Sequence, residues 1–229
     1  MVPAQRVRAP SRGFYDARME TSELRGLIVD WGGVLTAPLD EAITRWVAAE
    51  GIELEAYAQV MRGLVDEAES PIHELERGKL SPAEFEQVLA ARLRAQGLQI
   101  EADGLLARML EGLQALSEDM VGLLRRARAA GLRTALLSNS WGEHYPEHLW
   151  IGAFDEVVIS GRVGMRKPEP EIFEHTCRLL ELPPQQCVFV DDMRVNVLGA
   201  AQLGLVGVHF TSYQETVQEL EILFGLDLR

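Results

Sequence analysis

Cysteine is nearly absent: Cys177 and Cys187 are the only two in 229 residues. No CxxC pair and no Cys/His ligand spacing accompanies them, which argues against a structural zinc site. Two buried, reduced thiols fit a cytoplasmic protein. Long apolar runs are lacking as well. None approaches the ~18 residues needed to span a bilayer, so no membrane partner is expected. Basic charge is also scarce, with 22 Lys and Arg against 35 Asp and Glu and a formal net charge of −13. That balance argues against nonspecific nucleic-acid binding. It leaves a phosphorylated substrate open, because a metal and one lysine make a local positive site on an acidic protein.

What is present reads as a globular chain, 47% hydrophobic and 25% charged. Its length suits one α/β core carrying an insertion. Residues 1–23 differ from the rest, with Arg6, Arg8, Arg12 and Arg18 among Pro3, Pro10 and Gly13. They hold no apolar core for a secretory signal and are expected to be a flexible arm without assigned function.

The first strand is expected over Leu24–Val29, leading into a turn at Asp30. From Pro38 the pattern becomes helical. Ile43, Trp46 and Val47 share one helical face, and Val60, Met61, Leu64 and Val65 another. Ser81-Pro82-Ala83-Glu84 has the form of a capping box with proline in the first turn, and its helix should run to about Gly97. A further helix is expected over Leu105–Leu116. Beyond Ser117, helices alternate with short apolar strands at Thr134–Leu137, within Ala153–Ile159, at Val188–Val190 and at Gly207–Phe210. This alternation predicts a doubly wound parallel α/β sheet with helices on both faces. The helical block interrupts it after the first strand and is therefore an insertion.

Polar groups collect at the ends of the predicted strands: Asp30, Ser138 with Asn139, and Asp191 with Asp192. Ligands of open parallel sheets bind at the carboxyl ends of strands, so these positions converge on one crevice. An aspartate titrates at ~3.9 when unperturbed, and gathered carboxylates repel by ~4 kcal/mol per pair at 4 Å in an intermediate dielectric. A hard divalent cation such as Mg2+ relieves that repulsion. Lys167 supplies fixed positive charge, and Ser138 and Asn139 supply neutral donors for phosphoryl oxygens. Gly32 and Gly33 allow close backbone approach.

Taken in order, Asp30-Trp31-Gly32-Gly33-Val34, Leu137-Ser138-Asn139, Arg166-Lys167-Pro168-Glu169-Pro170 and Val190-Asp191-Asp192 with Asn196 resemble the four motifs of the haloacid dehalogenase superfamily. The resemblance covers about Leu24 to Phe210. It implies a Rossmann-like core over 24–37 and 117–229 and a helical cap of the C1 type over 38–116, with Glu76-Arg77-Gly78 as a cap turn. It further implies Asp30 as a nucleophile forming an aspartyl-phosphate, Ser138 and Lys167 as its catalytic partners, and Ser138, Asn139, Lys167 and Gly33 as substrate contacts. Mg2+ would be held by Asp30, the Gly32 carbonyl, Asp191 and Asp192. Asp192 is the more direct ligand, with Asp191 assisting or binding through water and Asn196 one layer further out.

Gly32 departs from the pattern. Phosphatases of the superfamily carry there an aspartate that protonates the leaving oxygen, a role worth ~10²–10⁴-fold. Three accounts follow. The substrate has a good leaving group, as in an acyl phosphate or anhydride; a residue such as Glu41, Asp66, Glu69 or His73 replaces the acid; or hydrolysis is lost. The expected function is a cytoplasmic, Mg2+-dependent hydrolase of a small phosphorylated metabolite, monomeric or homodimeric. The alternatives are a 2-haloacid dehalogenase, against which the Asp191-Asp192 pair counts, and a non-catalytic binding protein. Trp31 is read as packing before pocket lining, His144 and His148 as surface or pocket-lining residues, and His73, His175 and His209 receive no role of their own in the site.

Overall fold

The structure, a computed structural model, describes residues 23–229 except 112, 114, 115, 143 and 144. The expected arm therefore lies almost wholly outside the described residues, as does His144. Five strands, β1 (Gly26–Val29), β2 (Arg133–Ser138), β3 (Glu156–Ile159), β4 (Cys187–Asp191) and β5 (Val206–His209), form one parallel sheet. Their order is β3-β2-β1-β4-β5. The chain winds outward from β1 in one direction through β2 and β3, then returns to its other side through β4 and β5. The crevice between those halves is where ligands of such sheets bind.

Between β1 and β2 come helices α1 (Leu39–Ala49), α2 (Leu54–Asp66), α3 (Pro71–Glu76), α4 (Pro82–Ala95) and α5 (Leu105–Met109). Then follow α6 (Glu118–Ala129), α7 (Ser160–Val163), α8 (Pro170–Leu179), α9 (Arg194–Leu203) and α10 (Tyr213–Phe224). Side chains alternate across the sheet. Leu27 and Val29 pack with Met120, Leu123 and Leu124 of α6 and Val217 and Leu220 of α10. Ile28 packs on the opposite face with Ile172, Phe173 and Cys177 of α8 and Ala200 of α9. Both faces are thus covered, which is why these strands read as unbroken apolar runs. Each fully buried Leu, Ile or Phe contributes about 1.5–3 kcal/mol.

The block α1–α5 has its own core, including Trp46, Leu64, Phe85, Leu89, Leu93, Leu105 and Met109. The box at Ser81 forms: its hydroxyl accepts from the Glu84 N–H and the Glu84 carboxylate accepts from the Ser81 N–H. The helix expected over Leu105–Leu116 stops at Met109. Turn-type bonds from Glu111 N–H to Arg108 O and from Leu113 N–H to Leu110 O replace the α pattern there. The short helix α3 had no counterpart among the expected elements. Ser70 caps it by accepting from the His73 N–H, and Pro71 stands in its first turn. No described helix is long and apolar enough to cross a membrane.

Candidate active site

Register brings the polar residues together. Val29 pairs with Leu136 and with Val190, so Asp30 comes level with Asp191 and one residue short of Ser138. The Asp30 N–H continues the ladder to Val190 O at 2.9 Å, and its Oδ1 accepts from the Trp31 N–H at 2.6 Å. Lys167 lies between the carboxylates. Its Nζ is 2.6 Å from Asp30 Oδ1 and 2.7 Å from Asp191 Oδ2, and 5.5 Å from the centre of the Phe189 ring. Only 1% of Lys167 is exposed.

Burial sets the electrostatics. Desolvation works against the Lys167 charge, but Asp30 and Asp191 outweigh it and hold the ammonium well above the ordinary lysine range. Asp30 is pushed up to about 8 by burial; Lys167 opposes the shift and Asp191 adds to it. Burial also raises Asp192, with Asp191 pushing the same way.

Asp191 is fully committed. Its Oδ1 accepts from the Met193 N–H at 2.8 Å, its Oδ2 from Lys167, and both oxygens lie 3.1 Å from Asn196 Nδ2. These contacts use the roughly four lone-pair directions of a carboxylate and leave Asp192 the freer ligand. Oxygens of Asp30, Asp191 and Asp192 lie within 4.8 Å of one another. His209, to which the sequence assigned no role, has Nε2 at 2.9 Å from Asp192 O.

The two glycines differ sharply. A Cβ on Gly33 would fall 2.1 Å from Asp192 Oδ2, and its φ of +73° favours glycine. Gly33 therefore makes room for the Asp192 carboxylate. A Cβ on Gly32 would meet nothing within 4 Å. Position 32 has space for a side chain and carries none.

The amide of Asn139 is engaged by Lys167. Nδ2 donates to Lys167 O at 3.1 Å, and Oδ1 accepts from the Lys167 N–H at 2.9 Å. The Ser138 hydroxyl pairs with the Tyr145 hydroxyl at 2.9 Å. Sequence reasoning missed Tyr145, since it follows Ser138 through a loop without periodicity. Trp31 is half-buried and edge-on to Tyr145 at 5.3 Å and Trp150 at 5.0 Å, so much of its ring is packing.

The helical block meets this site through the end of α3. Arg166 Nε donates to Glu76 Oε2 at 2.5 Å, and Trp141 Nε1 donates to Glu76 Oε1 at 3.3 Å. Arg77 pairs with Glu169. Gly78, at φ +70°, sits so close to the Gly161 carbonyl that a Cβ would be 2.3 Å from it. Among the acids considered as replacements for position 32, Glu41, Asp66 and Glu69 are exposed. Among the described residues no hydrogen bond or ion pair joins them to the Asp30 cluster. Burial lowers His73 below the ordinary histidine value, with Arg166 adding to the effect; it stands near the Glu76–Arg166 pair. Of the other histidines, His148 is exposed and His175 half-buried. A shallow cleft near the opposite, N-terminal end of β2 is lined by Arg128, Arg133 and Asp155. Both arginines pair with Asp155, at 2.8 and 3.8 Å, and the cleft is a surface ion-pair network.

A buried aspartate, a buried lysine and two further carboxylates thus gather at the strand ends of a doubly wound sheet. A profile of haloacid dehalogenase-like hydrolases matches residues 24–204, and the chain belongs to that family. It is 30% identical over 156 residues to the sesquiterpene phosphatase astK of Aspergillus oryzae, across 66% of this chain and 78% of that protein. Similarity to drimenol cyclase drtB of Aspergillus calidoustus is 29% over 210 residues, 88% of this chain but 37% of that much longer protein. With (S)-2-haloacid dehalogenase 1 of Pseudomonas sp. it shares 31% identity over 124 residues, 52% of this chain and 54% of that one. A haloacid dehalogenase-family enzyme of Bacteroides thetaiotaomicron, solved with magnesium and inorganic phosphate, matches at TM-score 0.59 and 22% identity. That match covers 82% of this chain and 94% of the other, and it supports the fold.

Proposed function

We propose that the protein is a Mg2+-dependent phosphohydrolase acting on a small organic phosphate, with Asp30 as nucleophile. The observation that carries this reading is the placement of Lys167 between Asp30 and Asp191 beside a third carboxylate, Asp192. Three carboxylates against one ammonium leave a surplus of negative charge on hard oxygen ligands, the donor set that suits Mg2+. Asp30, Asp192 and the Gly32 carbonyl would hold the ion directly, with Asp191, whose oxygens are engaged by Lys167, Asn196 and the Met193 N–H, assisting. When bound it neutralises charge on the cluster and on the phosphoryl oxygens.

The chain's own groups do the rest. An Asp30 oxygen forms a bond to phosphorus as the bond to the leaving oxygen breaks, giving an aspartyl-phosphate. Water then attacks that phosphorus, releasing phosphate and regenerating the carboxylate. Lys167 and Ser138 stabilise the charge that develops, Asn139 fixes Lys167, and Gly33 admits the Asp192 carboxylate. With glycine at position 32, acyl phosphates and anhydrides are favoured, because their leaving groups need little protonation. Similarity to a sesquiterpene phosphatase favours an apolar body on the substrate.

We read residues 38–116 as a cap of the C1 type over a core of 24–37 and 117–229, and the protein as a cytoplasmic monomer or homodimer. A second reading, dehalogenation of a 2-haloacid, is supported by the similarity to the Pseudomonas dehalogenase. The three-carboxylate cluster counts against it, since attack on carbon calls for no metal. A panel of phosphate esters, acyl phosphates and 2-haloacids, assayed with and without Mg2+ for wild type and Asp30→Asn, separates the two. Phosphate release that needs both Mg2+ and Asp30 supports the first reading; halide release without Mg2+ replaces it with the second.

A further inference from the structure

Gly32 leaves the site without a side chain to protonate a leaving oxygen, and the exposed acids of the helical block do not join the Asp30 cluster. One O–H group stands beside that cluster without an assigned role. The Tyr145 hydroxyl is 2.9 Å from Ser138 Oγ. Its ring lies edge-on to Trp31, the residue after the nucleophile, at 5.3 Å and 61°. It also tilts against Trp150 at 6.1 Å and 54°. The ring is thus braced on two sides, and its hydroxyl is aimed at the end of β2.

The charges of Asp30 and Lys167 both reach this hydroxyl, and the Ser138 and Ser140 hydroxyls face it. The Ser140 hydroxyl donates to Gly142 O, so it can only accept from Tyr145. Burial keeps the phenol protonated. Tyr145 and Ser138 together carry two hydroxyl hydrogens and share one hydrogen bond. With Ser138 as the donor of that bond, the Tyr145 O–H is the hydrogen that can turn from the Ser140 oxygen to a group arriving in the crevice.

We propose that Tyr145 is the acid–base residue of this site, donating its phenolic proton to the leaving oxygen in place of the side chain that Gly32 lacks. The proposal rests on the phosphohydrolase reading and deepens it, since phosphate esters with poor leaving groups come within reach. As an Asp30 oxygen bonds to phosphorus, the bond from phosphorus to the leaving oxygen breaks. That oxygen keeps the electron pair and takes the Tyr145 proton. The resulting phenolate is stabilised by the Lys167 ammonium and by a hydrogen bond from Ser138. In the second half, water bonds to phosphorus through its oxygen and returns a proton to the phenolate. The aspartyl oxygen leaves as the Asp30 carboxylate, and protons balance over the cycle.

The test compares wild type, Tyr145→Phe and the double variant Tyr145→Phe/Gly32→Asp, all with Mg2+, on an alkyl phosphate and on acetyl phosphate. Tyr145→Phe keeps the ring packing and removes only the O–H. It should lower kcat on the alkyl ester by about 10²-fold or more, the range for a lost general acid, and change acetyl phosphate turnover by less than about threefold. The double variant should recover at least about tenfold on the alkyl ester, because position 32 has open space for the new carboxyl. A packing or positioning role for Tyr145 would lower both substrates together and would not respond to Gly32→Asp. Equal loss on both substrates, no loss, or no recovery in the double variant overturns the proposal. So does wild-type turnover confined to acyl phosphates, since no acid is then at work. Absence of Asp30-dependent phosphate release from every substrate removes the phosphohydrolase reading itself, and Tyr145's role with it.

Discussion

Asn139 grips Lys167 by its backbone, donating to the lysine carbonyl at 3.1 Å and accepting from the lysine N–H at 2.9 Å. Residues 28 positions apart are joined by this two-point contact, and it sets the height at which Nζ enters between Asp30 and Asp191. Asn139→Ala removes both bonds and leaves buried peptide groups unpaired, a cost of about 1–3 kcal/mol. It should lower kcat by about 10- to 100-fold, a loss of about 1.4–2.7 kcal/mol of transition-state stabilisation. Steady-state kinetics beside urea unfolding checks this. A variant with lowered stability and unchanged kcat would show that the clamp serves the fold alone.

Adjacent glycines should respond in opposite ways. Gly33→Ala drives a methyl into the Asp192 carboxylate, 2.1 Å away, at a φ of +73°. Mg2+ affinity should fall at least about tenfold, equivalent to about 1.4 kcal/mol. Gly32→Ala meets open space and should fold with wild-type stability. Calorimetric Mg2+ titration and thermal unfolding of both variants make the comparison. Equal effects at the two positions would contradict it.

Proton linkage gives a pH prediction. Burial raises Asp30 from 3.8 to about 8 in the metal-free protein. Between those values the folded state holds a proton that the unfolded state has released. Stability drawn from this group is therefore complete below about pH 3.8 and is lost as pH rises through about 8. Mg2+ needs the carboxylate, so its affinity should rise with pH by up to about tenfold per unit and level off above about pH 8. Isothermal titration across that window is the measurement. An affinity flat in pH would show that Asp30 is already ionised without metal.

Glu76 ties the helical block to the lysine loop through Arg166, with side chains only 10% and 14% exposed. Removing one partner of a pair buried this far strands the other charge, which costs about 3–5 kcal/mol in full burial and less here. Glu76→Gln and Arg166→Gln should each destabilise by more than about 1 kcal/mol, and the double variant by less than their sum. Chemical denaturation of the four proteins gives the coupling directly. Additive losses would mean that the contact contributes nothing as a pair.

The sheet was legible in the sequence because its strands are buried on both faces. Leu27-Ile28-Val29 and Val188-Phe189-Val190 stand out as short apolar runs whatever their neighbours are. Ser81-Pro82-Ala83-Glu84 announced its helix because capping is local chemistry. The Ser-Pro pair at Ser70-Pro71 carries the same local signal, but α3 is only six residues long and shows no periodicity to accompany it. Leu110, Leu113 and Leu116 prolong an apolar pattern past the point where the helix becomes turns. In the site, Asp30, Lys167, Asp191 and Asp192 were visible as charged residues at the ends of apolar runs or beside them. The pairing of Tyr145 with Ser138 and the grip of Asn139 on Lys167 depend on loop paths, which leave no spacing to read.

The central claim is that Asp30 attacks phosphorus. Rapid quench of the Mg2+-loaded enzyme during turnover of an acyl phosphate, followed by mass spectrometry of the peptide that carries Asp30, tests it most directly. The account predicts a transient phosphate adduct on Asp30 that forms and decays at the rate of turnover and does not form in Asp30→Asn. Turnover without that adduct, with labelled water oxygen appearing in the Asp30 carboxylate instead of in phosphate, would contradict it.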